Sequence, residues 1–564
     1  MLFRSDGVDT NNNNVVGDNN EVSGITITGG SEGSNSFAEV LNLNGAQTIT
    51  GAPAITLTGG DTGTNNFARI RNDGMGAQTI TAGDTLLTAG AGGVTNFAVI
   101  QSRTQAITVH GDLTLTGGGT SPTATSDAGA RIGGLGAITP TNLVLHVDGD
   151  VTLNGGSASG ATIGANLFGG QRTDITMTVG GDVTLNAGAA GARIGSPAVN
   201  VAGGNISITS TGGNIVLNNT EPGLGASIRT LDNVTLSAIG IDKGIIEGAD
   251  SVIQANQLTT TSNAGTSLMG RNEVAGFNAT NAAAGNIAFN NSGNLALMAS
   301  NTAPGGKITV NNLSGDLSTS GLVAASGSGS ADVALATGGA VNIAHPVTAT
   351  GTGDVTLAGG AITVDDTSVV AGGSVTVNAT SLDVKGVSSG ALIQVGDGFN
   401  TNLSGDLRVR SASVGGGFGG WAAILASHGP VNISAGSVAL EGGKNLAGFA
   451  AITGGPIVAT TTGDFSIAGG SGLGSFGMLL SNRNIDLTVG GRLRLNSGTG
   501  FGSFARIQTL YPGSTISLHF PELESGGYFV NGVEGRISQG LTGFFTGAWP
   551  ATLGKTLITT YGEE

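Results

Sequence analysis

The chain has 564 residues, of which 103 are glycine, 12 proline and none cysteine; 10% are charged and 39% hydrophobic. This composition excludes a disulfide framework and any thiolate metal site, and it does not fit a disordered tail, which combines low hydrophobicity with high charge. The formal net charge of −16 argues against a nucleic-acid partner, whose phosphates require clustered Lys and Arg, and disfavours an anionic membrane surface.

In chain order, the opening MLFRSDGVDTNNNNVVGDNN contains no apolar run of secretory-signal type. Residues 1–24 are taken as a polar N-terminal segment or cap. No later window approaches 18 unbroken apolar residues, so no transmembrane helix is expected.

Residues 25–236 repeat with a period of about 30. An Ala-x-Ile-like core recurs at Ala38, Ala68, Ala98, Ala130, Ala161, Ala192 and Ala226, in steps of 30, 30, 32, 31, 31 and 34. Between these cores lie alternating segments such as Ile25-Thr26-Ile27-Thr28, Leu113-Thr114-Leu115-Thr116 and Val183-Thr184-Leu185-Asn186. Their period of two places aliphatic side chains on one face and Thr or Asn on the other. A repeat of this length built from strands and glycine-rich corners predicts a β-solenoid, in which each coil buries a few residues against its neighbours and the core grows along one axis.

The residue after each of these alanines is expected to point outward, forming a column of Glu39, Arg69, Val99, Arg131, Thr162, Arg193 and Ser227; the first two are opposite charges on adjacent coils. Gly-Asp pairs precede strands at Asp84, Asp112, Asp150, Asp182, Asp316, Asp354, Asp406 and Asp464. They are expected to be turn residues, with Gly free to adopt positive φ and Asp bonding its own backbone.

Residues 237–417 keep the strand-and-corner pattern in shorter, less regular rungs. Residues 418–510 return to rungs of about 28, with Ala422, Ala450, Gly477 and Ala505 in the core slot. An aromatic precedes each of these four, as Trp421, Phe449, Phe476 and Phe504, and the first coils repeat the arrangement with Phe37, Phe67 and Phe97. Aromatics at a constant rung position are expected to stack as ladders; exposure would favour a sugar platform. Residues 511–564 are aromatic-rich and are taken as a C-terminal cap over the open coil end. No outer-membrane barrel is expected from this segment.

The repeats GGDVTLNGGSASGATIGA, GGNISITSTGGNIVLNN and TGDVTLAGGAITV resemble those of filamentous haemagglutinin-like β-helical exoproteins, as found in two-partner secretion and autotransporter passengers of Gram-negative bacteria. The resemblance implies an all-β, right-handed parallel β-helix, secreted or displayed at the bacterial cell surface. It also implies a role in attachment to a host-cell or matrix glycan or protein, or to other bacteria, and an outer-membrane secretion partner. The family's N-terminal secretion domain, with its Asn-Pro-Asn motif, has no counterpart here, so the chain is expected to be a fragment.

Residues that could carry chemistry are sparse. His110, His146, His345, His428 and His519 are widely separated, without HxxxH or HExxH spacing. Gly472–Gly477 matches GxGxxG without the strand–helix context of a nucleotide site, and the calcium-binding nonapeptide is not repeated. Asp365-Asp366 is the only adjacent Asp pair, and His146, Asp148 and Asp150 lie within five residues. Paired carboxylates of this kind would be the resource of a polysaccharide-degrading lyase or hydrolase. No catalytic, cofactor-binding or metal-ligating residue is assigned and no cofactor is expected. The leading expectation is a non-catalytic adhesin-like surface; a polysaccharide-degrading enzyme, a spacer rod and a threonine array for ice remain as alternatives.

Overall fold

The computed structural model describes residues 24–121, 129–135, 140–166, 172–197, 201–219, 225–411, 420–511, 513–526, 529–530 and 555–560. Among them there is no helix, and parallel strands stack into about 16 turns of β-solenoid. The chain forms two compact units, residues 1–292 and 293–564. Of the eight aromatics in the expected cap 511–564, Tyr528, Phe544, Phe545, Trp549 and Tyr561 lie outside the described residues, as does nearly all of the N-terminal segment 1–24.

In the first unit each coil contributes strands to three parallel ladders. The Ala-x-Ile ladder has the register expected from the repeat, pairing Ala38 with Ala68, then Ala98, Ala130, Ala161, Ala192 and Ala226. A second ladder stacks Ile27, Leu57, Leu87, Leu115, Leu153, Leu185 and Leu217 in one inward column. Each is at most 5% exposed, because alternation turns every second side chain inward and stacking then covers it from both sides. The glycine content follows from the corners. A Cβ on Gly60 or Gly90 would overlap the carbonyl oxygen of Gly30 or Gly60, one coil earlier, so backbone packs directly on backbone there.

The interior also holds polar ladders that the sequence reading did not anticipate. Gln78 Nε2 donates to Gln47 Oε1 at 2.6 Å and Gln105 Nε2 to Gln78 Oε1 at 2.8 Å, all three buried. At a corner, Asn66 Oδ1 accepts the Ser36 N–H and Asn96 Oδ1 accepts the Asn66 N–H, both at 2.8 Å. Gln78 thus donates to one neighbour and accepts from the other, which is what makes its burial tolerable, while Gln105 at the end of the ladder keeps a buried acceptor oxygen without a partner.

Two expectations require correction. The column after the Ala slot has the expected register, but only Glu39, Arg69, Thr162 and Arg193 are partly exposed; Val99, Arg131 and Ser227 are buried, at 0%, 2% and 5% exposed. Arg131 donates to the Gly134 carbonyl and to Gln101 Oε1, and Arg69 pairs with Glu39 at 2.8 Å as the charges predicted. Six of the eight Gly-Asp aspartates lie in turns between strands, whereas Asp84 lies within a strand and Asp406 begins one; of the preceding glycines only Gly315 adopts positive φ, and the carboxylates bond the next coil and not their own backbone. Asp84, Asp112, Asp150 and Asp182 each accept the backbone N–H of the equivalent residue one coil later, Asp112, Asp150, Asp182 and Asn214, at 2.7–3.0 Å. The turn aspartates therefore tie coil to coil.

In the second unit, steps between equivalent residues are 24, 22 and 24 from Val323 through Val347 and Val369 to Ile393. They lengthen to 31 at Ile424, then 28, 27 and 28 through Ile452 and Leu479 to Ile507. Ala391 extends the Ala422, Ala450, Gly477, Ala505 column by one coil that the sequence reading had not included. At the far end, the strand Lys555–Thr560 pairs antiparallel with Thr515–Phe520, in contrast to the parallel stacking before it.

Candidate functional site

The carboxylates singled out for enzymatic work are occupied structurally. Asp365 pairs with Lys385 at 3.0 Å. Asp366 is bonded by the backbone N–H groups of Val387, Ser388 and Ser389 and by the Ser388 hydroxyl, at 2.6–3.1 Å. Partial burial alone would push its carboxyl up, but these hydrogen bonds outweigh it and hold Asp366 below the usual carboxylate range. Asp150 is committed to the Asp182 N–H.

Asp148 has a different setting. His110 Nδ1 and His146 Nε2 each lie 2.9 Å from one of its oxygens, so one carboxylate bridges two imidazoles on adjacent coils. The hydrogen bond from His110, followed by the charge interactions with both rings, holds Asp148 below the usual carboxylate range, the direction opposite to that of a general acid. All three side chains are about half exposed. The spacing of the histidines gave no hint of this contact, but HGD at 110–112 and DGD at 148–150 occupy the same place in the repeat, and that alignment was the available signal. Among the described residues no group of three or more His, Cys, Asp and Glu could hold a metal ion. His345 is bound into a turn, with Nδ1 2.9 Å from the Thr319 carbonyl. The GxGxxG segment leads from a corner into the strand Phe476–Ser481, with no helix to carry a phosphate site.

The aromatic columns stack as expected. Phe37, Phe67 and Phe97 are 4.7 and 4.6 Å apart, and Trp421, Phe449, Phe476 and Phe504 are 5.5, 5.0 and 4.8 Å apart, all within 10° of parallel. The second column is half-buried. Its inner rings cover one another's faces and offer solvent mainly their edges, whereas a sugar stacks on an open face. The outward Thr column is interrupted: Thr56 is followed by Leu86, and Thr184 by Val216 and Ile246. Asn154, Asn186 and Asn218 form an outward amide ladder with bonds of 2.8 and 3.0 Å.

Each unit has a groove where coil length changes. In the first unit the step falls from 30 residues (215 to 245) to 21 (245 to 266), and in the second it rises from 24 (369 to 393) to 31 (393 to 424). A longer coil overhangs a shorter one and leaves a ledge. The first groove, about 370 Å³, is lined by Asn214, Asp242, Ile246, Ser267, Asn286 and Ala288 among others. The second, about 360 Å³, is floored by Gly351, Gly372 and Gly396 and bounded by Thr348, Gln394 and Ser427.

These features define a β-solenoid repeat protein in which Asp150, Asp182, Asp365 and Asp366 hold coils and loops together and, among the described residues, a groove lies at each of two changes of coil length. Comparison with protein-family models, with curated proteins and with solved structures found no match to this chain.

Proposed function

We propose that the chain is a non-catalytic, adhesin-like exoprotein of the filamentous haemagglutinin-like type, secreted or displayed at a bacterial surface. In this reading it attaches to a host-cell or matrix glycan or protein through an extended face. The observation that carries the proposal is the use of the polar residues. Asp150, Asp182, Asp365 and Asp366 are engaged in holding coils and loops, while three-coil outward ladders of Thr114, Thr152 and Thr184 and of Asn154, Asn186 and Asn218 remain partly accessible. Hydrolysis of a glycosidic bond needs one carboxyl raised to act as an acid opposite a second, and Asp148 is shifted the other way. Absence of cysteine suits export of an unfolded chain.

The test is binding of the purified chain to glycan arrays and to host-cell and matrix surfaces at physiological salt. Saturable binding that survives Asp148→Ala supports an adhesive surface. Depolymerisation of a bound polysaccharide that is lost in Asp148→Ala would establish the enzyme instead. A β-rich chain that binds none of these surfaces would be a spacer.

A further inference from the structure

The first groove has a local cause in the sequence. Six residues, 239–244, join the strand Asn233–Ala238 to Ile245–Glu247, whereas four (211–214) make the equivalent turn one coil earlier and three (263–265) one coil later. The surplus forms a tight turn, with the Lys243 N–H bonded to the Gly240 carbonyl. It overhangs the shorter turn beside it.

Asp242 sits in that overhang at φ 56°, a left-handed conformation that Asp and Asn tolerate better than most residues. Unlike the turn aspartates of earlier coils, Asp242 makes no hydrogen bond or ion pair among the described residues. Below it the outward column changes from Thr152 and Thr184 to Val216 and Ile246, then to Ser267 and Ala288. Ile246 is 48% exposed. An aliphatic floor thus lies beneath a wall carrying a free carboxylate, with the Ser267 hydroxyl and the Asn286 amide along its length.

We propose that this groove is a binding subsite for a neutral pyranose unit of a glycan, an inference that rests on the adhesive reading above. The volume of about 370 Å³ lies at the low end of small-ligand sites, which run from roughly 300 to 1,000 Å³, and suits one or two sugar rings. Asp242 accepts from vicinal hydroxyls, Ser267 and Asn286 reach the hydroxyls beyond, and the C–H face of the ring packs on Ile246. The groove's only charged lining residue is Asp242, and the chain carries a net charge of −16. Sialylated or sulfated sugars are therefore disfavoured by repulsion.

The experiment uses the full chain against an array of neutral hexose and N-acetylhexosamine oligosaccharides with their sialylated and sulfated counterparts. Saturation-transfer NMR then follows any neutral oligosaccharide that binds. Two variants are compared: Asp242→Asn, which keeps the left-handed turn, and Ser267→Trp, which fills the groove from an outward position. The expected result is saturable binding of a neutral glycan, weakened at least about tenfold in both variants, with the β-sheet circular dichroism and melting profile retained. Undiminished binding in both variants overturns the groove as the site while leaving the adhesive reading intact. Binding confined to anionic glycans overturns the ligand class. Binding to a matrix protein with no glycan binding overturns this inference alone, and no binding to any surface overturns both.

Discussion

Replacing Glu247 tests the core most sharply. Glu247 occupies the inward column otherwise made of Ile27, Leu57, Leu87, Leu115, Leu153, Leu185, Leu217, Leu268 and Phe289, between Leu217 and Leu268. It is 3% exposed. One carboxyl oxygen accepts the Asn272 side-chain N–H at 2.9 Å and the Gly270 N–H at 3.0 Å; the other has no hydrogen-bond partner. Burial, only partly offset by these two bonds, pushes its pKa up from 4.5 to about 7. The folded state therefore retains a proton that the unfolded state releases. The associated stability is fully present below pH 4.5, declines as pH rises towards 7 and is lost above it. A shift of this size corresponds to roughly 3 kcal/mol at alkaline pH.

Glu247→Gln keeps an oxygen acceptor for Asn272 and Gly270 without the charge. It should be close to wild type at pH 4.5 and more stable by up to about 3 kcal/mol at pH 8, less the desolvation cost of its amide N–H groups. Because repeat arrays do not always unfold in one step, the readout is amide exchange over residues 245–272 in both proteins at each pH, alongside thermal melts. A stability difference that stays constant from pH 4.5 to pH 8 would refute the argument, since it would show that Glu247 does not titrate in this window.

Other expectations follow from the same structure. Ile194→Asp places an unpaired charge between Ile163 and Ile228 and should destabilise the first unit by at least about 3 kcal/mol; an unchanged melting profile would mean the register is wrong. Gln78→Ala breaks the buried amide ladder on both sides and should cost roughly 2 to 4 kcal/mol, measurable by chemical denaturation. Asp366→Ala releases the N–H groups of residues 387–389 and should accelerate their exchange by about ten- to a hundredfold. Because the Asp366 carboxyl lies below its usual range, its contribution is present above pH 3.8 and is lost as pH falls through the lower folded value. Mild acid should therefore leave this loop protected, and stronger acid should reproduce the effect of the variant.

The repeat spacing and the two-residue alternation determined the fold class, the register of the Ala slots, the inward ladders and the stacking of Phe449 on Phe476. Each depends on like residues recurring at one interval, and a solenoid converts that interval directly into spatial neighbourhood. The same rule explains why GGD-type turns could be recognised while their bonding could not: a turn motif is local, but the acceptor Asp150 finds its donor 32 residues later, on Asp182. Tertiary structure alone decided which outward residues are covered, as with Arg131, and it turned the repeat alignment of positions 110 and 148 into the contact in which Asp148 bridges His110 and His146. It also decided that the coil carrying the 239–244 turn overhangs its shorter neighbour. Burial and concavity depend on how much adjacent coils differ in length and side-chain bulk, and that difference is a property of stacked pairs that no single rung contains.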